Sequence, residues 1–130
     1  MPTLDDVAEL AGRLPEVVQE QGRRGWSWSV RGKGFVWERP FSKADLKRFG
    51  DQTPPDGPLL GVRVEDLGER EAVLSMFGPS VFTIAHFANY PAVLVQLDTV
   101  SPDTLAELIE DAWLVCAPPA LAEQYLKGEA

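Results

Sequence analysis

From Trp26 onward the apolar residues recur at every second position. Trp26, Trp28 and Val30 alternate with Ser27, Ser29 and Arg31. That period puts one set of side chains on each face of an extended strand. Arg31-Gly32-Lys33-Gly34 interrupts the alternation, and Phe35 and Trp37 resume it. Glycine supplies the positive φ angles that a tight hairpin requires. Residues 26–38 are therefore expected to form strand, turn and strand, with Arg31 and Lys33 at the tip. The alternation also places Trp26, Trp28, Phe35 and Trp37 on one buried face, with Trp28 and Phe35 as its core members. A lone hairpin is marginal in water, so the rest of the chain must cover this apolar face.

The other elements follow from caps and breakers. Thr3 with Asp6 three positions later resembles a capping box, and Leu4, Val7, Ala8, Ala11 and Leu14 follow helical spacing. Pro15–Glu20 reads as a second short helical turn, opened by its proline. Ser42-Lys43-Ala44-Asp45 starts a short helix ending at Gly50. Residues 51–58 form a proline-rich loop, and Leu59–Val64 is a strand. Asp66 and Glu69 open a helix that Gly78-Pro79 stops. Val81–Ala85 and Ala92–Leu97 are read as two more strands. Ser101-Pro102 opens a helix with Leu105, Leu108, Ile109, Ala112, Trp113 and Cys116 on one face, and residues 120–127 form a last short helix. Few strands and short connections predict an α+β fold, an antiparallel sheet flanked by helices, rather than a doubly wound parallel sheet.

A chain of 130 residues fits one domain spanning residues 1–130. With 45% hydrophobic and 25% charged residues, it is not a disordered or collagen-like sequence. One cysteine, Cys116, excludes an intramolecular disulfide and a four-cysteine metal site. Its helical spacing makes it a buried, apolar-like side chain. No apolar run approaches the ~18 residues of a membrane span. The acidic amphipathic start resembles neither a secretory signal nor a transit peptide. The expected location is the cytoplasm, with no membrane partner.

Charge is segregated along the chain. The net charge is −8, which argues against a general nucleic-acid binder. Yet eight of the twelve basic residues lie between positions 23 and 48, against two acidic ones. They are Arg23, Arg24, Arg31, Lys33, Arg39, Lys43, Lys47 and Arg48. Arginine and lysine on a hairpin and its neighbouring helix can neutralise phosphates while the ribbon enters a groove. The alternative is a solvated surface whose cations pair with the acidic helices.

The order and spacing of several segments resemble the MmcQ/YjbR-like family of small bacterial proteins, over about residues 3–126. These are Leu14-Pro15-Glu16-Val17, Trp28-Ser29-Val30-Arg31-Gly32-Lys33-Gly34-Phe35, Leu59–Val64 and Phe82-Thr83-Ile84-Ala85-His86-Phe87. Ala92-Val93-Leu94-Val95-Gln96-Leu97-Asp98 and the helix from Leu105 to Val115 complete the set. The resemblance implies a YjbR-like fold similar to the frataxin-like or double-wing arrangement. Members of the family are commonly labelled DNA-binding, a label that rests largely on fold similarity, and the family's basic hairpin tip is matched here by Arg31 and Lys33. The resemblance supplies no catalytic residues.

The remaining polar residues point to no chemistry of their own. His86, the single histidine, stands beside Phe87, Asn89 and Tyr90 without a recognisable nucleophile motif, so a structural role is expected. Asp5, Asp6 and Glu9 open the first helix, where acidic residues complement the helix dipole. No metal ligand set and no cofactor are expected. The functional expectation is a non-enzymatic binding module, with DNA as partner through residues 23–48. Two alternatives stay open. One is a protein-interaction or regulatory module. The other is a small-ligand or metal-binding protein using a cleft near His86.

Overall fold

The computed structural model describes residues 2–23, 25–55 and 57–128. In chain order the elements are α1 (Leu4–Gly12), β1 (Val17–Gly22), β2 (Gly25–Val30), β3 (Lys33–Glu38), α2 (Lys43–Phe49) and β4 (Leu59–Arg63). They continue with α3 (Leu67–Phe77), β5 (Val81–Phe82), β6 (Ala92–Gln96), α4 (Pro102–Cys116) and α5 (Pro119–Leu126). A short 3-10 turn, Ala85–Phe87, lies between β5 and β6. The six strands form one sheet in the order β1-β2-β3-β4-β6-β5, and every pairing is antiparallel. The expected α+β class with an antiparallel sheet is what the chain adopts.

Helix starts are set by side chains that satisfy the orphan backbone donors of a first turn. Reciprocal capping boxes form at Thr3 with Asp6 and at Ser42 with Asp45. Asp66 accepts from the Glu69 backbone N–H, and Ser101 from that of Thr104. The β2–β3 connection is a two-residue turn with Val30 opposite Lys33. Arg31 at φ 50 and Gly32 at φ 82 give it the I′ form, which matches the twist of the flanking strands.

One face of the sheet carries the main core. Trp28, Val30, Phe35, Val36, Leu60, Val62, Val93 and Val95 are buried there with Val7 and Ala11 of α1 and Leu105, Ile109, Ala112 and Trp113 of α4. The two buried indoles have their N–H groups satisfied. Trp28 Nε1 donates to Gln19 Oε1 at 2.9 Å, and Trp113 Nε1 to the Pro15 carbonyl at 3.1 Å. Cys116 is buried as expected, and burial pushes its thiol up. A smaller cluster covers the other face: Phe87, Ala92 and Leu94, with Trp37, Phe41, Phe82 and Ile84 packed against them.

Three expectations are corrected. Residues 17–20 are not a helical turn; they belong to edge strand β1, because pairing with β2 over six residues outweighs weak local helix preference. The segment Val81–Ala85 is a strand only at Val81–Phe82, after which the chain lifts into the 3-10 turn. Trp37 does not share the face of Trp28. The β2–β3 register shifts between Trp28 and Ser29, so Phe35 is an extra residue, and such a bulge reverses which face later side chains occupy. Phe35 and Val36 both reach the main core, and Trp37 turns to the opposite side.

Candidate functional site

The seven sequence-predicted cations among the described residues do not gather in one place. Arg31 and Lys33 sit at the β2–β3 tip, whereas Arg23 and Arg39 flank the other ends of the same strands. Five residue steps at about 3.3 Å each separate the two ends by roughly 17 Å. Lys43, Lys47 and Arg48 lie on α2, which packs near the 3-10 turn. Arg24 lies outside the described residues.

Several of these cations are already paired. Arg31 donates from Nε and Nη2 to the two carboxylate oxygens of Glu16, at 2.5 and 2.9 Å. These hydrogen bonds hold the Glu16 carboxyl below its ordinary range. Glu16 and Arg31 are also the only non-glycine residues with positive φ among the described residues, at 56° and 50°. Arg39 is not on the surface: it is 7% exposed and pairs with Asp45, itself 3% exposed, at 3.0 Å. Its Nη1 also donates to the Pro40 carbonyl. Burial pushes the Asp45 carboxyl up. The Ser42 N–H and hydroxyl and the Arg39 guanidinium more than offset this and hold it below its ordinary value. Arg48 approaches the same carboxylate at 3.9 Å. Arg23, Lys33, Lys43 and Lys47 are exposed.

A recess lies at the Arg23–Arg39 end. It is an open cleft of about 750 Å³ lined by Gly22, Arg23, Gly25, Trp37, Glu38, Arg39, His86, Phe87 and Tyr90, among others. Its aromatic wall is contiguous. Trp37 and Tyr90 stand 6.4 Å apart, Phe87 and Tyr90 5.8 Å, and His86 and Phe87 5.9 Å, all at tilted angles. The Arg39 guanidinium lies 5.8 Å from the Phe87 ring centre and that of Arg63 5.5 Å from Tyr90, within cation–π range.

The local sequence builds this wall in identifiable ways. Trp37 lies across Gly61 of the neighbouring strand, its register partner; a methyl group there would fall inside the indole. Glu38 folds back to accept the Trp26 backbone N–H at 2.8 Å and fills the space beside Gly25, whose φ of 115° favours glycine. Arg70 of α3, 8% exposed, fixes the segment bearing His86, Phe87 and Tyr90. Its Nη1 donates to the Phe87 carbonyl at 2.5 Å, with Ala88 and Tyr90 carbonyls at 3.4 and 3.3 Å. A charged donor replaces the strand pairing the chain gives up after Phe82.

A family model described as YjbR matches residues 12–115. The chain belongs to the YjbR family. Two relatives are the uncharacterized proteins Mb2600 of Mycobacterium bovis and Rv2570 of Mycobacterium tuberculosis. Each is 41% identical over 129 residues, covering 97% of both chains. No solved structure is a match.

In this YjbR-family chain, His86 stands exposed at the cleft's lip rather than inside the core. Asp5 and Asp6 open α1, and Asp6 caps it through the Thr3 backbone N–H at 2.8 Å. Among the described residues, no group of three or more His, Cys, Asp or Glu side chains could hold a metal ion. No helix there is long and apolar enough to cross a membrane. Sequence reasoning missed Arg63 and Arg70, whose partners lie far along the chain and leave no local pattern.

Proposed function

We propose that this YjbR-family protein is a non-enzymatic binding module that takes a small molecule in the cleft between β3 and the 85–90 segment. The observation carrying this reading is the open aromatic wall of Trp37 and Tyr90, backed by buried Phe87 and Arg39. Tyr90 keeps 40% of its surface exposed although it contacts two other rings. A concave, mostly apolar recess with a few fixed polar groups is the usual form of a ligand site. The groups it offers suit recognition. Its carboxylate, Glu38, is held by a backbone N–H through one oxygen, and the Arg39 guanidinium lies against the Phe87 ring.

Duplex DNA is the competing reading for the 23–48 segment. It requires Arg23, Lys33, Lys43 and Lys47 to act together, yet Lys33 stands at the far strand end from Arg23. Arg31, Arg39 and Arg48 are engaged with carboxylates.

The test is a thermal-shift screen of soluble metabolites with the intact chain and its Tyr90→Ala variant. A ligand present at 100 times its Kd should add about 2.7 kcal/mol of stability. At least one compound is expected to raise the Tm of the parent and not of Tyr90→Ala. A panel without hits, combined with retention on duplex DNA at about 50 mM salt, where phosphate contacts are strongest, would reverse the assignment.

A further inference from the structure

We infer that the ligand of this cleft is a flat ring system bearing an anionic group, an inference that rests on the small-molecule reading above. The ring requirement comes from the wall. Trp37 and Tyr90 meet at 57° with centres 6.4 Å apart, and Tyr90 and Phe87 at 58° and 5.8 Å. This chain of tilted rings leaves Tyr90 partly open. Elsewhere the cleft is lined by Gly22 and by Gly25, which the Glu38 side chain covers. A planar molecule can lie against such a wall by offset or edge-to-face stacking, which a saturated ring matches less well.

The anionic requirement comes from the charges around that wall. Arg39 is held against Phe87 and Arg63 against Tyr90, and Arg23 stands exposed at the lip. Arg39 uses one N–H on Pro40 and one on Asp45. A guanidinium carries five donors, so it keeps N–H groups to offer. Arg63 touches the wall only through Tyr90 and lines a neighbouring recess with Glu65, Glu69 and Asp111, so the cleft's own cations are Arg23 and Arg39. Of the nearby carboxylates, Asp45 serves Ser42 and Arg39, and Glu38 accepts the Trp26 N–H through one oxygen. His86 adds a ring nitrogen at the lip. In a chain of net charge −8, the cleft lining sets two arginines, Arg23 and Arg39, against one carboxylate, Glu38. At a physiological screening length of about 8 Å, it is the local groups that a bound anion meets.

Mononucleotides and aromatic carboxylates or sulfonates share this chemistry, and a matched series separates them. Binding of naphthalene-2-sulfonate, 2-naphthalenemethanol, cyclohexanesulfonate, adenosine monophosphate, adenosine and a short oligothymidylate is measured with the full chain by tryptophan fluorescence and calorimetry. The anionic flat compounds are expected to bind about tenfold tighter than the neutral ring and the saturated anion. Arg23→Gln should weaken the anions several-fold and leave the neutral ring unchanged. Tyr90→Ala should weaken every ring compound. Preference for adenosine monophosphate over naphthalene-2-sulfonate, or the reverse, assigns the source while supporting the inference. Equal binding of neutral and anionic rings, lost in Tyr90→Ala, would overturn the anionic class and leave the small-molecule reading intact. No binding by any ring compound would remove both. Oligothymidylate binding far tighter than any monomer would overturn the inference in favour of single-stranded nucleic acid.

Discussion

Replacing Asp45 by alanine should be among the most costly single changes outside the main core. The carboxylate is 3% exposed and faces a guanidinium 7% exposed at 3.0 Å. Breaking a buried pair by removing one partner costs about 3–5 kcal/mol, since the other charge stays buried and uncompensated. Asp45 also completes the capping box of α2 through the Ser42 N–H at 2.9 Å, which adds about 1 kcal/mol. The sum, about 4–6 kcal/mol, is a large share of the roughly 5–15 kcal/mol that holds a typical domain folded. Arg39→Leu should cost less, about 3 kcal/mol, because Asp45 keeps Ser42 and has Arg48 at 3.9 Å to turn to. The double variant should fall short of the two single costs combined by about 2 kcal/mol, the coupling expected of contacting charges. Urea unfolding at pH 7 measures all three, and amide exchange over α2 detects local release of the helix. The pH dependence has a definite sign. The folded carboxyl titrates below its unfolded value of about 3.9, so the stability it contributes is complete above about pH 4–5 and is lost as pH falls through the folded value. The deficit of Asp45→Ala should shrink over that acid range. An Asp45→Ala protein within about 1 kcal/mol of the parent at pH 7, the scale of an exposed pair, would refute a stabilising buried Arg39–Asp45 pair. So would strictly additive single variants. A phosphate-contacting Arg39 would instead leave stability intact and lower the DNA salt slope by about 0.9.

Other substitutions probe the parts that shape the cleft. Gly61→Ala should displace Trp37 and cost about 1–3 kcal/mol by overpacking, with a change in the Trp37 emission environment; an unaffected Tm would show that the indole is free to move. Arg70→Met removes the charged donor to the Phe87, Ala88 and Tyr90 carbonyls. It should cost about 2–3 kcal/mol and speed amide exchange at residues 87–90, whereas unchanged protection there would deny it a positioning role. Asp111→Asn should raise stability at pH 7, because burial and then Glu107, Glu110 and Glu69 push the Asp111 carboxyl up. A raised acid is a liability above its folded pKa, so the gain should be at most about 0.5 kcal/mol and vanish as pH falls toward 4; a gain that grows on acidification would reverse the assignment. Arg31→Asn should hold or raise the Tm, since Asn-Gly suits an I′ turn; a clear fall would mean that the Glu16 pair outweighs the backbone conformation.

Much of the fold can be read from local chemistry, because its elements carry their own start and stop signals. The Thr3, Ser42 and Ser101 caps mark α1, α2 and α4 within a residue, and Gly32 marks the hairpin turn. What escaped depends on partners distant in sequence. The run Val17–Gly22 has little apolar patterning because five of its six residues are exposed on an edge strand; only its pairing with β2 makes it extended. The face of Trp37 depends on one extra residue in a bulge, which strict alternation cannot foresee. The basic segment was visible as charge, but its division was not. Arg39 and Arg31 are captured by Asp45 and Glu16, and of the other described cations Arg23 and Lys33 stand at opposite strand ends while Lys43 and Lys47 lie on α2. Arg70 carries no local signal of its role, because its carbonyl partners lie 17 to 20 residues on.

The most direct measurement is a heteronuclear NMR titration of the labelled chain with whichever flat anionic compound binds. The account predicts saturable shifts confined to residues 22–27, 37–39 and 86–90, with intermolecular contacts from the ligand to the Trp37 and Tyr90 rings. Shifts centred on Lys33, α4 or the outer edge of β1, with residues 86–90 unmoved, would contradict it.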